Sequence, residues 1–129
     1  MITIKNSADV GQIGEKLACK YLRKKGYKIL ENNKRESHKE TDIIAANKEY
    51  IVFVEVKTRS VDTDLYSSYG TPASAVDKKK QSNLIFAAKS YLAKHHTDKQ
   101  PRMDVIEVYL QKNTGKLLNI NHIENAYLA

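Results

Sequence analysis

Glu55 and Lys57 close an apolar run, Ile51-Val52-Phe53-Val54, and Asp42 opens the apolar run that precedes it. A carboxylate and an ammonium at the end of a β-branched, strand-like segment are out of place in a core unless they perform some chemistry. Side chains alternate faces along an extended strand. Glu55 and Lys57 therefore share a face with Ile51 and Phe53, and Asp42 shares one with Ile44 and Ala46. A hairpin turning at Asn47-Lys48-Glu49 admits a register that pairs Ala46 with Ile51, Ile44 with Phe53 and Asp42 with Glu55. Cβ atoms of directly opposed residues lie about 4.5–5.5 Å apart, and like charges at that separation repel. Two carboxylates so placed need a shared proton or a divalent cation. Lys57, one pleat further on, points into the same place.

The elements that must position these groups are legible in the patterning. Val10, Ile13, Gly14, Leu17, Ala18, Tyr21 and Leu22 recur at helical spacing, and Lys24-Lys25-Gly26 supplies a cationic last turn with a glycine stop. Glu15 falls at the edge of that apolar arc. Strands are predicted over 27–30, 41–46 and 50–57, followed by a polar loop over 58–72, long enough to be functional or mobile. A second helix is expected from about residue 75 to 95, with Leu84, Ala88, Tyr91 and Leu92 on one face. A fourth strand over 103–110 leads through a turn at Asn113-Thr114-Gly115 to a fifth over 117–120, and 122–128 is predicted as a short closing helix. The order α-β-β-β-α-β-β implies an α/β sheet flanked by helices, in one domain over residues 1–129 without repeats or a linker.

Composition agrees with a single core. A chain of 129 residues buries roughly two-thirds of its unfolded surface. Its 41% hydrophobic and 29% charged residues are interleaved, which excludes a disordered chain. The single Cys19 excludes an internal disulfide and suits a reducing compartment. Residues 1–6 carry no apolar segment of the signal-peptide kind, and no apolar run approaches the roughly 20 residues of a membrane span. These features together predict a cytoplasmic protein without a membrane partner. Twenty-two Lys and Arg against 15 Asp and Glu give a net charge of +7, which makes a polyanionic partner plausible.

Several motifs resemble one family. Gly11-Gln12-Ile13-Gly14-Glu15, then Ala18 and Tyr21-Leu22, is similar to the opening helix of the YraN-like family of bacterial proteins. So are Asn33-Lys34-Arg35, Glu40-Thr41-Asp42-Ile43-Ile44-Ala45 and, above all, Val52-Phe53-Val54-Glu55-Val56-Lys57-Thr58-Arg59. Gly70-Thr71-Pro72, Lys80, Ala88, Tyr91-Leu92 and Arg102-Met103-Asp104-Val105 extend the resemblance over nearly the whole chain. The family is similar in fold to the PD-(D/E)xK nucleases, the restriction-endonuclease-like group that includes archaeal Holliday-junction resolvases. That resemblance implies a three-layer fold, a mixed central sheet with a four-stranded core and a helix on each side. It implies that Glu15, Asp42, Glu55 and Lys57 occupy the active-site positions, and it places DNA ahead of RNA as the polymer. Resolvase-like relatives often act as dimers, so a homodimer is implied as well, although no residue pattern marks a dimer face. The family generally carries glycine before its Glu-x-Asp, whereas this chain has Lys39. Lysine resists φ > 0, so the turn entering the second strand is expected to differ.

Phosphodiester hydrolysis would use these residues in distinct roles. Asp42 and Glu55 are hard oxygen ligands suited to Mg²⁺ or Mn²⁺. Glu15 could complete the shell through a water, although alone it also suits the positive end of a helix. Lys57 would orient an attacking water or neutralise charge on the phosphate. Arg35 and Arg59 flank the expected pocket and are candidates for phosphate contact. So are Lys79 and Lys80, in a Lys78-Lys79-Lys80 run where the helix dipole disfavours cations. Solvated surface charge is the commoner explanation for such residues. Tyr66 and Tyr69 could stack on bases or simply pack the loop. Asp104 is a distant site residue, a partner for Arg102 or a cap for its strand. His95 and His96 diverge from one helix and make no zinc site, and Cys19 has no catalytic partner.

The reading is a nucleic-acid-binding, metal-dependent endonuclease. Two alternatives keep the sequence facts: a binding module of the same fold with a vestigial site, and a partner-binding adaptor. Catalysis requires the carboxylates and Lys57 in one cavity, whereas an adaptor requires an exposed apolar patch elsewhere.

Overall fold

The computed structural model describes residues 7–62 and 78–127, with side-chain surroundings from residue 10 onward. Its elements run α1 (Ser7–Lys24), β1 (Lys28–Glu36), β2 (Lys39–Ala46), β3 (Tyr50–Val61), α2 (Lys78–Lys94), β4 (Gln100–Gln111) and β5 (Leu117–Tyr127). The five strands form one sheet in the order β1-β2-β3-β4-β5, antiparallel except for the parallel pair β3–β4. That parallel pair needs a crossover, and the 62–99 segment that contains α2 supplies it.

Strand alternation sorts the core into two layers. Even-numbered Val52, Val54, Ile106, Val108 and Leu110 pack with Ala18 and Leu22 of α1, joined by Ile43 and Ala45 of β2. Odd-numbered Ile51, Phe53, Met103 and Val105, with Ile44 of β2, pack against Leu84, Ala88 and Tyr91 of α2. The protein is thus a three-layer α/β sandwich with a mixed central sheet and one helix on each face, compatible with a restriction-endonuclease-like fold. The sheet has five strands rather than only the four of the implied core. Phe53 is fully buried at the centre of the α2 layer, so Phe53→Ala would cost about 3–5 kcal/mol.

Local signals act where the sequence places them. Gly26 (φ 98°) ends α1 in a Schellman motif, in which Tyr27 N donates to Leu22 O and Gly26 N to Arg23 O, both at 3.0 Å. Asn47 Oδ1 accepts from Glu49 N and Tyr50 N (2.9 and 2.8 Å), an Asx turn that sets the β2–β3 hairpin. In the β1–β2 turn the left-handed positions fall on Ser37 (φ 48°) and His38 (φ 71°), not on Lys39.

Three boundaries differ from the sequence expectations. β1 continues through Glu36, because β2 supplies hydrogen-bond partners as far as Lys39. β3 continues to Val61 along an unbroken parallel register with β4, so residues expected to open the loop belong to the sheet. No closing helix forms at 122–127. That segment is the end of β5, paired to β4 with a register shift between Met103 and Val105. Opposite those two β4 residues, β5 inserts Glu124, Asn125 and Ala126 between Ile123 and Tyr127. Ile123 and Tyr127, on either side of the bulge, both pack in the α2 layer, and their spacing of four also fits a helix. Tyr66, Tyr69 and the expected start of the second helix at Ala75 lie outside the described residues.

Candidate functional site

The site forms where the sheet divides. β2 and β3 pair at Ala46–Ile51, Ala45–Val52, Ile44–Phe53 and Ile43–Val54, and the ladder stops there. Beyond it β2 stays with β1, through Thr41–Lys34 to Lys39–Glu36, while β3 stays with β4. Asp42 stands at the fork. Its Oδ2 accepts the Val56 N–H at 2.8 Å, so a carboxylate takes the place of the next ladder carbonyl. The same register, carried one step further, sets Asp42 opposite Glu55.

Glu55 and Asp42 line one cleft of about 240 Å³ with His38, Lys39, Glu40, Lys80, Asn83 and Leu84. Lys57 Nζ and Lys80 Nζ each lie 3.9 Å from Glu55 Oε1. The Glu55 and Lys57 side chains retain only 16% and 17% of their exposure. The cleft therefore holds Asp42, Glu55 and Lys80, and Lys57 reaches it through Glu55.

Glu15 enters from the other face. Gly14 permits this, because a Cβ there would meet Thr58 Oγ1 at 1.8 Å, so α1 lies directly on β3. Glu15 is drawn to Asp42 by hydrogen-bonding contact and repelled by Glu40. Asn33 opposes Asp42 in the β1–β2 register and holds a left-handed φ of 51°. With its amide nitrogen toward the carboxylates, Asn33 donates to Glu15 Oε1 (3.1 Å) and Glu40 Oε1 (3.0 Å). Thus Asn33, Glu40, Lys39 and Asn83 surround the site: Asn33 and Glu40 stand in motifs of the family resemblance and Lys39 in a departure from it, none with a site role, and Asn83 had no prior sequence signal. For Gly14 the signal was present, a glycine inside a helix next to a candidate acid.

The electrostatics follow from this crowding. Burial, then the Glu55 charge, raises the Asp42 pKa to about 7, against the lowering effect of the Val56 N–H. Burial also raises Glu15. Lys57 is lowered by burial and by Lys80 beside it, against the opposing pull of Glu55. A carboxyl group raised and an ammonium lowered in the same place are the pattern that catalytic acids and bases require. The donor set consists of hard carboxylate oxygens and fits Mg²⁺ or Mn²⁺. Among the described residues no three His, Cys, Asp or Glu side chains form a metal-binding group. The site therefore offers the pair Asp42 and Glu55, with Glu15 beside it.

The four basic candidates separate. Lys80 lines the cleft, and Lys79 is exposed next to it at the start of α2. Arg35 is 68% exposed on the β1–β2 hairpin, 3.4 Å from Glu40. Arg59 donates through Nε to the buried Glu107 (3.1 Å), which Tyr109 also contacts. Asp104 lies away from the cleft, fully buried and held by Arg102, His122 Nε2 and the Asn125 N–H.

Among the described residues, no helix is long and apolar enough to cross a membrane. A family model described as "Uncharacterised protein family UPF0102" matches residues 14–108, a span that includes all four candidate catalytic residues. A UPF0102 protein of Caldanaerobacter subterraneus subsp. tengcongensis is 46% identical over 123 residues, covering 95% of this chain and 97% of the relative. A UPF0102 protein of Clostridioides difficile is 43% identical over 123 residues, covering 95% and 99%. One from Parabacteroides distasonis is 40% identical over 121 residues, covering 94% and 93%.

Proposed function

The chain belongs to the UPF0102 family, the YraN-like group that its motifs resemble, and we propose that it is a metal-dependent endonuclease hydrolysing phosphodiester bonds, DNA ahead of RNA. The observation that carries this reading is the Asp42 carboxyl, half-buried against Glu55 and Glu15 with one backbone N–H as its hydrogen-bond donor. A carboxyl group whose pKa is raised by burial and by neighbouring carboxylates is relieved by a divalent cation. Asp42 and Glu55 would hold it, with Glu15 as an outer ligand. A bound Mg²⁺ or Mn²⁺ supplies a Lewis acid for the phosphoryl oxygen and lowers the pKa of a water.

The protein's own groups do the rest. Lys57, with its depressed pKa, accepts or returns a proton near neutral pH more readily than an ordinary lysine. Lys80, exposed on its outer side and in the first turn of α2, meets the phosphate at the mouth of the cleft. Asn33 restrains Glu15 and Glu40, which stops α1 and β2 from separating at the fork. The adaptor reading gains no comparable support. The exposed large apolar residues among those described are Leu30, Phe86 and Leu117, which sit on opposite edge strands and on α2.

The test is a panel of labelled single-stranded, duplex and branched DNA and RNA, incubated with and without Mn²⁺. Wild type should cleave at least one substrate only with metal. Asp42→Asn and Glu55→Gln should abolish cleavage. Lys57→Ala should lose cleavage yet still bind Mn²⁺. Failure of wild type to bind Mn²⁺ or to cleave any substrate favours the vestigial binding module. Cleavage by Asp42→Asn at the wild-type rate removes this site from the chemistry.

A further inference from the structure

Lys79, Asn83 and Phe86 recur at i, i+4 and i+7 along α2 and so form one stripe. Asn83 lines the cleft that holds Asp42 and Glu55, which places the stripe along the cleft's rim. Phe86 is 44% exposed. An isolated exposed phenylalanine means little by itself. This one has a cation beside it, since Lys39 Nζ lies 5.8 Å from the ring centroid. Lys39 also lines the cleft, on the wall opposite α2, together with His38. The other exposed large apolar residues, Leu30 and Leu117, are aliphatic, and no cation–π contact involves them. Lysines that can follow a phosphate backbone, beside an aromatic ring open to solvent, are the combination that single-stranded nucleic acid selects. Bases inside a duplex are already stacked and cannot lie on such a ring without leaving the helix.

We infer that Phe86 is a stacking platform for an unpaired base next to the scissile phosphate, with Lys39 and Lys79 holding the flanking phosphates. The substrate class is therefore a nucleic acid with a single-stranded segment at the cleavage position. This rests on the nuclease reading for the location of the cleft, but stacking is measurable without cleavage.

The chain contains no tryptophan, so Phe86→Trp creates a single reporter. Its emission, excited beyond the tyrosine band in metal-free buffer, is titrated with a short oligothymidylate and with the same strand in a blunt duplex. The single strand should quench the emission saturably and the duplex should quench it far less. Phe86→Ala and Phe86→Leu should both weaken single-strand binding, about tenfold to hundredfold, while Phe86→Tyr keeps it. Wild-type affinity in Phe86→Leu would overturn the proposal, because apolar surface without a π-face would then suffice. Equal quenching by the duplex, unchanged emission while a labelled strand binds, or no binding of any nucleic acid would overturn it too. The two readings fail separately. A chain that cleaves nothing yet stacks single strands loses the nuclease reading and keeps this one. Asp42-dependent cleavage with wild-type binding in Phe86→Leu does the reverse.

Discussion

Asp42→Asn should make the metal-free protein more stable while destroying its metal site. Asparagine keeps the size of Asp42 and an oxygen that can accept the Val56 N–H, but it removes a buried charge next to Glu55. The folded-state pKa of Asp42 is about 7 against an ordinary 3.8. A carboxyl raised on folding binds its proton more tightly in the native state. Its contribution is therefore most favourable below pH 3.8 and is lost as pH rises to about 7. At about 1.4 kcal/mol per pH unit, the cost of the ionised form near pH 8 is capped at about 4 kcal/mol. Adjustment by Glu15 and Glu55 leaves about half of that. The variant should then gain about 2 kcal/mol near pH 8, or roughly 7 °C in Tm. Near pH 5 the protonated aspartate resembles asparagine, and the gain should fall by more than half. Thermal unfolding at both pH values, without metal, gives the comparison directly. Added Mn²⁺ should reverse the order near pH 8, since an ion bound only by folded wild type raises its midpoint by mass action. An asparagine variant no more stable than wild type near pH 8, or a gain independent of pH, would refute the buried-charge argument.

Three other outcomes follow from the same geometry. Reversing Lys79 and Lys80 to Glu should weaken nucleic-acid binding on all sequences and flatten its salt dependence, measured between about 50 and 200 mM salt. Gly14→Ala should cost about 1–3 kcal/mol in denaturant unfolding, because its Cβ would have to displace Thr58, and should also lower cleavage by lifting Glu15 away from Asp42. Asp104→Ala should cost about 3–5 kcal/mol by leaving Arg102 buried without its carboxylate. Hydrogen bonds from His122 and Arg102 outweigh burial and hold the Asp104 pKa below its ordinary value. Its contribution is therefore complete above pH 3.8 and is lost as pH falls through the folded value, which acid titration of wild type and variant would reveal.

The hairpin that carries the site is legible because local and non-local signals agree there. Alternation in Ile43–Ala46 and Ile51–Val54 fixes both faces, and Asn47 supplies its own Asx turn, so the register as far as Ile43–Val54 is fixed by residues close in sequence. The ends of β1 and β3 are different. Glu31-Asn32-Asn33-Lys34-Arg35 has weak strand propensity and is held extended only by pairing with β2. The last residues of β3 are fixed by β4, which lies about fifty positions later. The end of β5 misleads for a third reason, since a bulge containing the left-handed Asn125 interrupts its pairing with β4. The site was legible as far as Asp42, Glu55 and Lys57, which lie on adjoining strands. Neither the left-handed φ of Asn33 nor its position beside Glu15 has a signature in sequence, because α1 and β1 meet only through tertiary packing.

One half-buried and one fully buried aspartate, Asp42 and Asp104, show why the fork, and not the other polar network, is the functional candidate. Asp104 and Asp42 both lose solvent on folding, yet their pKa values move in opposite directions. Asp104 has a two-point contact from Arg102 (2.9 and 2.8 Å), His122 at 2.7 Å and a backbone N–H at 2.9 Å. Tyr27 in turn accepts from Arg102, and Tyr21 meets His122. Every lone pair there has a donor, so the network is complete within the protein and its work is to join α1, β4 and β5. Asp42 receives one backbone N–H and is otherwise surrounded by Glu15, Glu40 and Glu55. Partial burial of that kind is costly unless it is compensated. A carboxylate group left in that state is complete only with something positive bound to it, either a proton or a cation. Lys57 and Lys80 each form an ion pair with Glu55 at 3.9 Å, so the cations of the fork serve Glu55 and not Asp42. In the function proposed above, the positive partner of Asp42 is a metal ion, which brings the phosphate with it.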